Sequence, residues 1–207
     1  SRTVRSRIEL RCSRIGYFGY PDAQTPHLDR LAEQGVVYGR AYSPSPTTAH
    51  SVVSMLTGMM PDTLVETSTV PYFLPRVLID HGWGSGTSAA FAGMQRTYPV
   101  LAGLGSEELG FTTVSSVPRR LLSAEYDRAI VDAMAERLEQ SDSPRFEYVH
   151  LLNTHGPFMG REAEADYHRA VQEVDAILGD FLERLESRGL RDETVLILDN
   201  VEQLIDV

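Results

Sequence analysis

The spacing of apolar residues divides the chain into long helical stretches and short strand-like runs. Over 124–140, Ile130, Val131, Met134 and Leu138 recur at helical spacing with Arg and Glu opposite them, which predicts an amphipathic helix. Over 167–188, Ala170, Val174, Ile177, Leu178, Phe181 and Leu185 repeat the pattern. A shorter helix is predicted over 25–35, with Thr25 as N-cap, Pro26 in the first helical position and Gly35 as terminator, so that Leu28, Leu31 and Ala32 share a buried face. Another begins at Thr48 or Ala49 and closes at Gly58, carrying Val52, Val53, Met55 and Leu56 and placing Thr48 at its positive end. Residues 72–81 also read as helical despite Pro75.

Between these lie strand candidates: the Gly/Ser/Ala-rich run 84–91, then 146–152 and the apolar run 194–198. Val36-Val37-Tyr38 is a further β-rich stretch, and residues 43–48 form a Pro/Ser/Thr loop. Residues 92–118 carry so much Gly, Thr and Ser that no element can be read there. Helices alternating with short buried strands predict an α/β fold with a mostly parallel central sheet, in one domain over 1–207. Such sheets gather chemistry beyond the carboxyl ends of their strands. Three pieces meet that description: the Thr48 loop, His155 after strand 146–152, and Asp199-Asn200 after strand 194–198. Taken singly, each has a plainer reading as a helix cap or a turn residue.

Composition works mainly by exclusion. A chain of 207 residues, 42% hydrophobic and 23% charged, is large enough to bury a substantial core. A net charge of -10 with scattered basic residues argues against a nucleic-acid clamp. All 19 basic residues are Arg, which excludes a lysine nucleophile, a Schiff base and a phosphate-loop lysine. The single cysteine, Cys12, cannot form an internal disulfide. No apolar run suits a membrane span and no basic leader precedes an apolar block, so a soluble chain without span or secretory signal is expected.

The runs Arg14-Ile15-Gly16-Tyr17-Phe18-Gly19-Tyr20, Thr25-Pro26-His27-Leu28-Asp29-Arg30-Leu31, Ala41-Tyr42-Ser43-Pro44 and Thr48-Ala49-His50-Ser51, followed by Met55-Leu56-Thr57-Gly58, resemble the opening half of the sulfatase family in the alkaline phosphatase superfamily. Val149-His150-Leu151-Leu152-Asn153-Thr154-His155-Gly156-Pro157 is similar to the family's strand and histidine loop. Tyr167, Val174, Asp175, Leu178 and Gly179 are similar to its later helix, and 194–198 to the strand before its second metal motif. The resemblance implies an alkaline phosphatase-like fold, a three-layer sandwich with helices flanking the central sheet, lacking the C-terminal part of a full-length member. It also implies hydrolysis of a small-molecule or glycan sulfate or phosphate ester by a hydroxyl nucleophile held against a divalent metal, calcium foremost, with zinc or manganese as alternatives. The nucleophile position falls on Thr48, which a metal would activate while the helix start receives the anion. The implied catalytic residues are Thr48 and His155, the substrate-binding residues Arg14, Ser51 and His155, and the metal ligands Glu9, Asp199 and Asn200.

The chain departs from the family pattern in three places. Members that cleave sulfate esters carry a Cys/Ser-x-Pro/Ala-x-Arg signature whose first residue becomes formylglycine; here Thr48, His50 and Val52 occupy the three fixed positions, so no formylglycine is expected. A plain threonine instead resembles the phosphoryl-transferring branches, giving a phosphoethanolamine-type transferase or phosphodiesterase as the alternative. The strand that should end in metal-binding Asp residues has Ile8 and Glu9 there, and four Arg among the first eleven residues disfavour a strand buried on both faces, so the first strand is expected to be missing or displaced. Asp199-Asn200 follows its strand two residues early and without the family's glycine. Degraded motifs at both ends leave a non-catalytic domain used for binding as a further alternative.

Overall fold

A computed structural model describes residues 2–7, 12–88, 98–102, 104–115, 124–155 and 162–199. Five strands among them form one wholly parallel sheet: β1 (Arg2–Arg7), β2 (Gly84–Ser88), β3 (Thr113–Ser115), β4 (Arg145–His150) and β5 (Thr194–Asp199), in the order β3-β2-β4-β1-β5. Six α-helices accompany it: α1 (Pro26–Gln34), α2 (Thr48–Thr57), α3 (Pro61–Glu66), α4 (Leu74–Asp80), α5 (Ala124–Glu139) and α6 (Ala163–Ser187).

Strand β4 shows why the sheet needs cover on both sides. Side chains alternate across a strand, so Phe146 and Tyr148 pack with α2, α3 and α4, whereas Val149 packs with α1, α5 and α6. The first layer is built on Val52, Val53, Leu56 and Leu64; the second on Leu28, Ile130, Met134, Val174, Ile177 and Phe181. Glu147 faces the second layer, fully buried between Arg137 of α5 at 2.7 Å and Arg145 at 2.7 Å. Its carboxylate occupies the space that a Cβ on Gly86 of β2 would need. A glycine is therefore required beneath this charged triple.

Most helices fall where periodicity placed them, and the ends differ for local reasons. Pro75 sits in the first turn of α4, where a proline costs no intrahelical bond, so the helix starts at Leu74 rather than at 72. Helix α6 begins at Ala163, with Glu164 and Asp166 in its first turn. Gly58 closes α2 in the left-handed region at φ 70, its N–H donating to Ser54 O.

Two expectations are corrected. The first strand is neither missing nor displaced: β1 runs between β4 and β5, with Arg7 in register with both His150 and Asp199. Parallel ladders on both edges fix its backbone regardless of its Arg content. Val36-Val37-Tyr38 is not a strand, and Val36 and Tyr38 are each 79% exposed; β-branched side chains without a neighbouring strand have no ladder to join. The segment 92–118 yields β3, only three residues long. Residues beyond 88 in the predicted run 84–91 lie outside the described residues.

Candidate active site

The carboxyl ends of β1, β4 and β5 lie level, as the pairing of Arg7 with His150 and with Asp199 shows. A pocket of about 350 Å³ opens at this edge, between the end of β5 and one face of α2. Asp199 is its acidic wall; Ser43, Ser51 and Ser54 supply hydroxyls; Tyr42, Met55, Met59 and Met60 supply apolar surface. Among the described residues its lining contains no Arg or His, so the pocket has net negative character.

Ser51 is fully buried and forms a hydroxyl cluster with the preceding loop: Ser51 Oγ donates to Ser45 O at 2.7 Å and lies 2.7 Å from Ser43 Oγ. The cluster folds the Pro/Ser/Thr loop back over α2. Thr48 is the first residue of α2, half-buried, one turn before Ser51. Residues three apart on a helix are surface neighbours, so Thr48 lies beside the pocket wall rather than in it. Helix starts leave their first amides without acceptors inside the helix.

Thr47 holds the N-cap position, but its side chain does not cap α2; its Oγ1 bonds to His50 Nδ1 instead. The His50 ring stands edge-on to Tyr98, with centroids 5.2 Å apart. Burial pushes the Tyr98 hydroxyl pKa up; neighbouring Ser54 opposes this and the charge of Asp62 adds to it. The two hydroxyls are neighbours without reaching well-formed hydrogen-bond geometry.

The remaining sequence-derived residues are placed as follows. His155 is exposed at the end of the loop after β4, with its N–H donating to Leu152 O at 2.9 Å, and it is not part of the pocket wall. Arg14 lies elsewhere, donating to Tyr20 Oη at 2.7 Å, pairing with Glu164 at 2.7 Å and lying 3.2 Å from His168 Nε2. It ties the loop before α1 to the start of α6. Glu9 and Asn200 lie outside the described residues. The structure thus sets Asp199 and Ser51 on the same pocket at the end of the sheet, with Thr48 one turn from Ser51, and engages Arg14 in a different contact.

The three ligands named for a divalent cation are all oxygen donors, the chemistry calcium favours. Among the described residues only Asp199 represents them at the pocket, and no three His, Cys, Asp or Glu side chains come together. The described residues do not make up the six to eight oxygen shell of calcium.

Two aspartates went unread as site-building residues. Asp127 of α5 accepts the backbone N–H groups of Leu152 and Asn153, and Asp175 of α6 accepts those of His27 and Leu28 at the start of α1. Burial, the largest cause, raises both pKa values, for Asp127 to about 6. The available signal was position: each acid stands on an apolar helical stripe, Asp127 with Ile130, Val131 and Met134, and Asp175 with Val171 and Leu178.

The Sulfatase family model matches residues 9–205. The chain belongs to the sulfatase family. An N-acetylgalactosamine-6-O-sulfatase of Bacteroides thetaiotaomicron is 40% identical over 57 residues, 28% of this chain and 11% of the relative. The chain spans about a tenth of the length of the curated sulfatases it matches, 9% to 11%. Among solved structures, the phosphonate monoester hydrolase of Agrobacterium radiobacter superposes with a TM-score of 0.74 at 15% identity, covering 95% of this chain and 61% of that one. An alkaline phosphatase superfamily protein of Vibrio parahaemolyticus does so at 0.70 and 20% identity, covering 100% and 56%. These likenesses show the fold: this sulfatase-family chain is an alkaline phosphatase-like α/β structure with a parallel sheet flanked by helices. Among its described residues no helix is long and apolar enough to cross a membrane.

Proposed function

We propose that the chain carries, within a single domain, the nucleophile-bearing part of a hydrolase for sulfate or phosphate esters. The observation that carries this reading is the meeting of Asp199 with the Ser51 face of α2 at the carboxyl edge of the sheet, one turn from Thr48. The division of the site follows from charge. A pocket walled by Asp199, methionines and Tyr42 repels an anion and accepts the uncharged body of a substrate, such as a sugar ring. The anionic sulfuryl or phosphoryl group belongs at the amide end of α2, beside Thr48.

In this reading Thr48 Oγ1 gives up its proton to solvent and bonds to sulfur or phosphorus as the bond to the ester oxygen breaks. His155 gives a proton to the departing alcohol. Water then frees the inorganic anion from Thr48. Ser51 and Arg14 are the proposed substrate-binding residues, Arg14 on condition that it leaves Glu164 and Tyr20. A divalent cation at Glu9, Asp199 and Asn200 belongs to the proposal as a composition of ligands only. A threonine in the nucleophile position favours phosphoryl over sulfuryl transfer, the second reading. Both are tested by comparing an aryl sulfate, an aryl phosphate and a phosphodiester as substrates for the wild type and Thr48→Ala. Hydrolysis that Thr48→Ala abolishes is expected; turnover unchanged in the variant would refute the nucleophile assignment.

A further inference from the structure

Asp127 lies in the first turn of α5, fully buried on the stripe that continues through Ile130, Val131 and Met134. One carboxylate oxygen accepts the Leu152 N–H at 2.7 Å and the other the Asn153 N–H at 2.9 Å. These residues lead from β4 to His155, whose N–H returns to Leu152 O at 2.9 Å. The side chain of Asn153 is held from α6, its Nδ2 donating to Ala170 O at 3.3 Å and to Glu173 Oε2 at 2.8 Å. The segment is therefore gripped by its main chain from α5 and by one side chain from α6, and His155 follows directly after it. A buried carboxylate serving two consecutive amides is worth its desolvation only where those amides must be fixed.

We infer that Asp127 is a positioning residue that, through the Leu152 and Asn153 amides, sets the backbone of residues 152–155 and so where His155 meets a substrate beside Thr48. This rests on the reading of His155 as a working group of the site. The facing charge from α6 is Glu173, which adds to burial in raising the Asp127 pKa; Arg128, next along α5, is engaged by Asp180 of α6. Protonation turns one oxygen into an O–H that no longer accepts an amide. The loop therefore loses one of its two main-chain anchors as pH falls through about 6.

Asp127→Asn keeps the shape but sets an NH2 group against one of the two amides. Hydrogen exchange followed by NMR at neutral pH is expected to quicken about tenfold or more at Leu152, Asn153 and His155 in this variant, with the His155 ring signals displaced. The His27 and Leu28 amides, held by Asp175, keep their wild-type rates. In the wild type the same loop amides lose protection below pH 6, beyond the ordinary pH dependence of exchange, and in the variant that inflection is gone. Unchanged loop exchange, or acceleration spread equally over α1 and α6, overturns the assignment. If Asp127→Asn does not fold, Asp127→Glu is read in the same way, its longer arm displacing the loop; wild-type exchange and ring signals in that variant overturn the assignment equally. With aryl esters the expected signature is a fall in kcat of about tenfold with KM nearly constant, and an unchanged kcat overturns the positioning role. If the wild type hydrolyses none of those esters, the hydrolase reading fails on its own account, and the exchange and ring measurements decide the role of Asp127.

Discussion

The two faces of the sheet are held by different means. On the side of α1, α5 and α6, buried carboxylates serve as anchors: Asp127 grips the backbone at the start of the histidine loop, Asp175 grips that at the start of α1, and Glu147 is locked between two arginine side chains. On the side of α2, α3 and α4, hydroxyls and aromatic rings dominate, with Ser43, Ser51 and Ser54 around the pocket and Tyr98 and Tyr148 beneath α2. Charged acceptors make the stronger, better directed bonds but pay heavily in desolvation. Neutral hydroxyls cost less to bury and can exchange partners with a ligand. The contrast teaches that one face fixes positions with charged acceptors while the other lines its pocket with neutral hydroxyls.

The largest effect expected concerns the hydroxyl face. Thr48→Ala should lower aryl ester turnover by at least about a hundredfold while urea unfolding stays within about 1 kcal/mol of the wild type; a large loss of stability instead would show that Thr48 serves the fold. On the carboxylate face, Glu147→Gln leaves two arginines facing an uncharged group and should cost about 3–5 kcal/mol by urea denaturation. A loss below about 1 kcal/mol would mean that Arg137 and Arg145 find solvent, and that this face is less firmly fixed than its bonding indicates.

A pH scan sharpens the same contrast. The folded protein holds a proton on Asp127 up to about pH 6, whereas the unfolded chain loses it near the ordinary aspartate value of 3.8. Between those values the folded state binds more protons, so stability from this group is present below pH 3.8 and falls as pH rises to about 6, by roughly 3 kcal/mol in full. Subtracting the Asp127→Asn curve from that of the wild type should isolate this slope, and a flat difference would place the carboxylate in a more polar setting. The smallest effect expected is for Arg128→Ala: its pair with Asp180 is about half exposed on both sides, so the change should remain under about 1 kcal/mol and shrink further in salt.

Legibility followed the range of the forces involved. Helices α1, α2, α5 and α6 were readable because a helix announces its buried side every three or four residues, as Ile130, Met134 and Leu138 do. Strand β1 was not, because its place between β4 and β5 is secured by main-chain bonds that carry no side-chain signature. Val36 and Val37 have strand-forming side chains but no partner. At the site, Thr48, Ser51 and Asp199 were picked out by motif and resemblance, and of these Ser51 and Asp199 line the same pocket. The grip of Asp127 on Leu152 spans 25 positions and that of Asp175 on Leu28 spans 147, with backbone atoms as partners, so no residue type at the receiving end could reveal them.

Strand β4 joins the two kinds of anchoring end to end. Near its start, Glu147 is bonded to Arg137 and to Arg145 and lies against Gly86, so an exchange of that acid demands matching changes on two other elements. Past His150 the chain is held by Asp127 through two main-chain amides, which every residue but proline possesses, and by α6 through the side chain of Asn153. The grip of Asp127 thus survives any exchange but proline at 152 and 153, while the packing of Leu152 against the core and the burial of Thr154 restrict which side chains this short bend accepts.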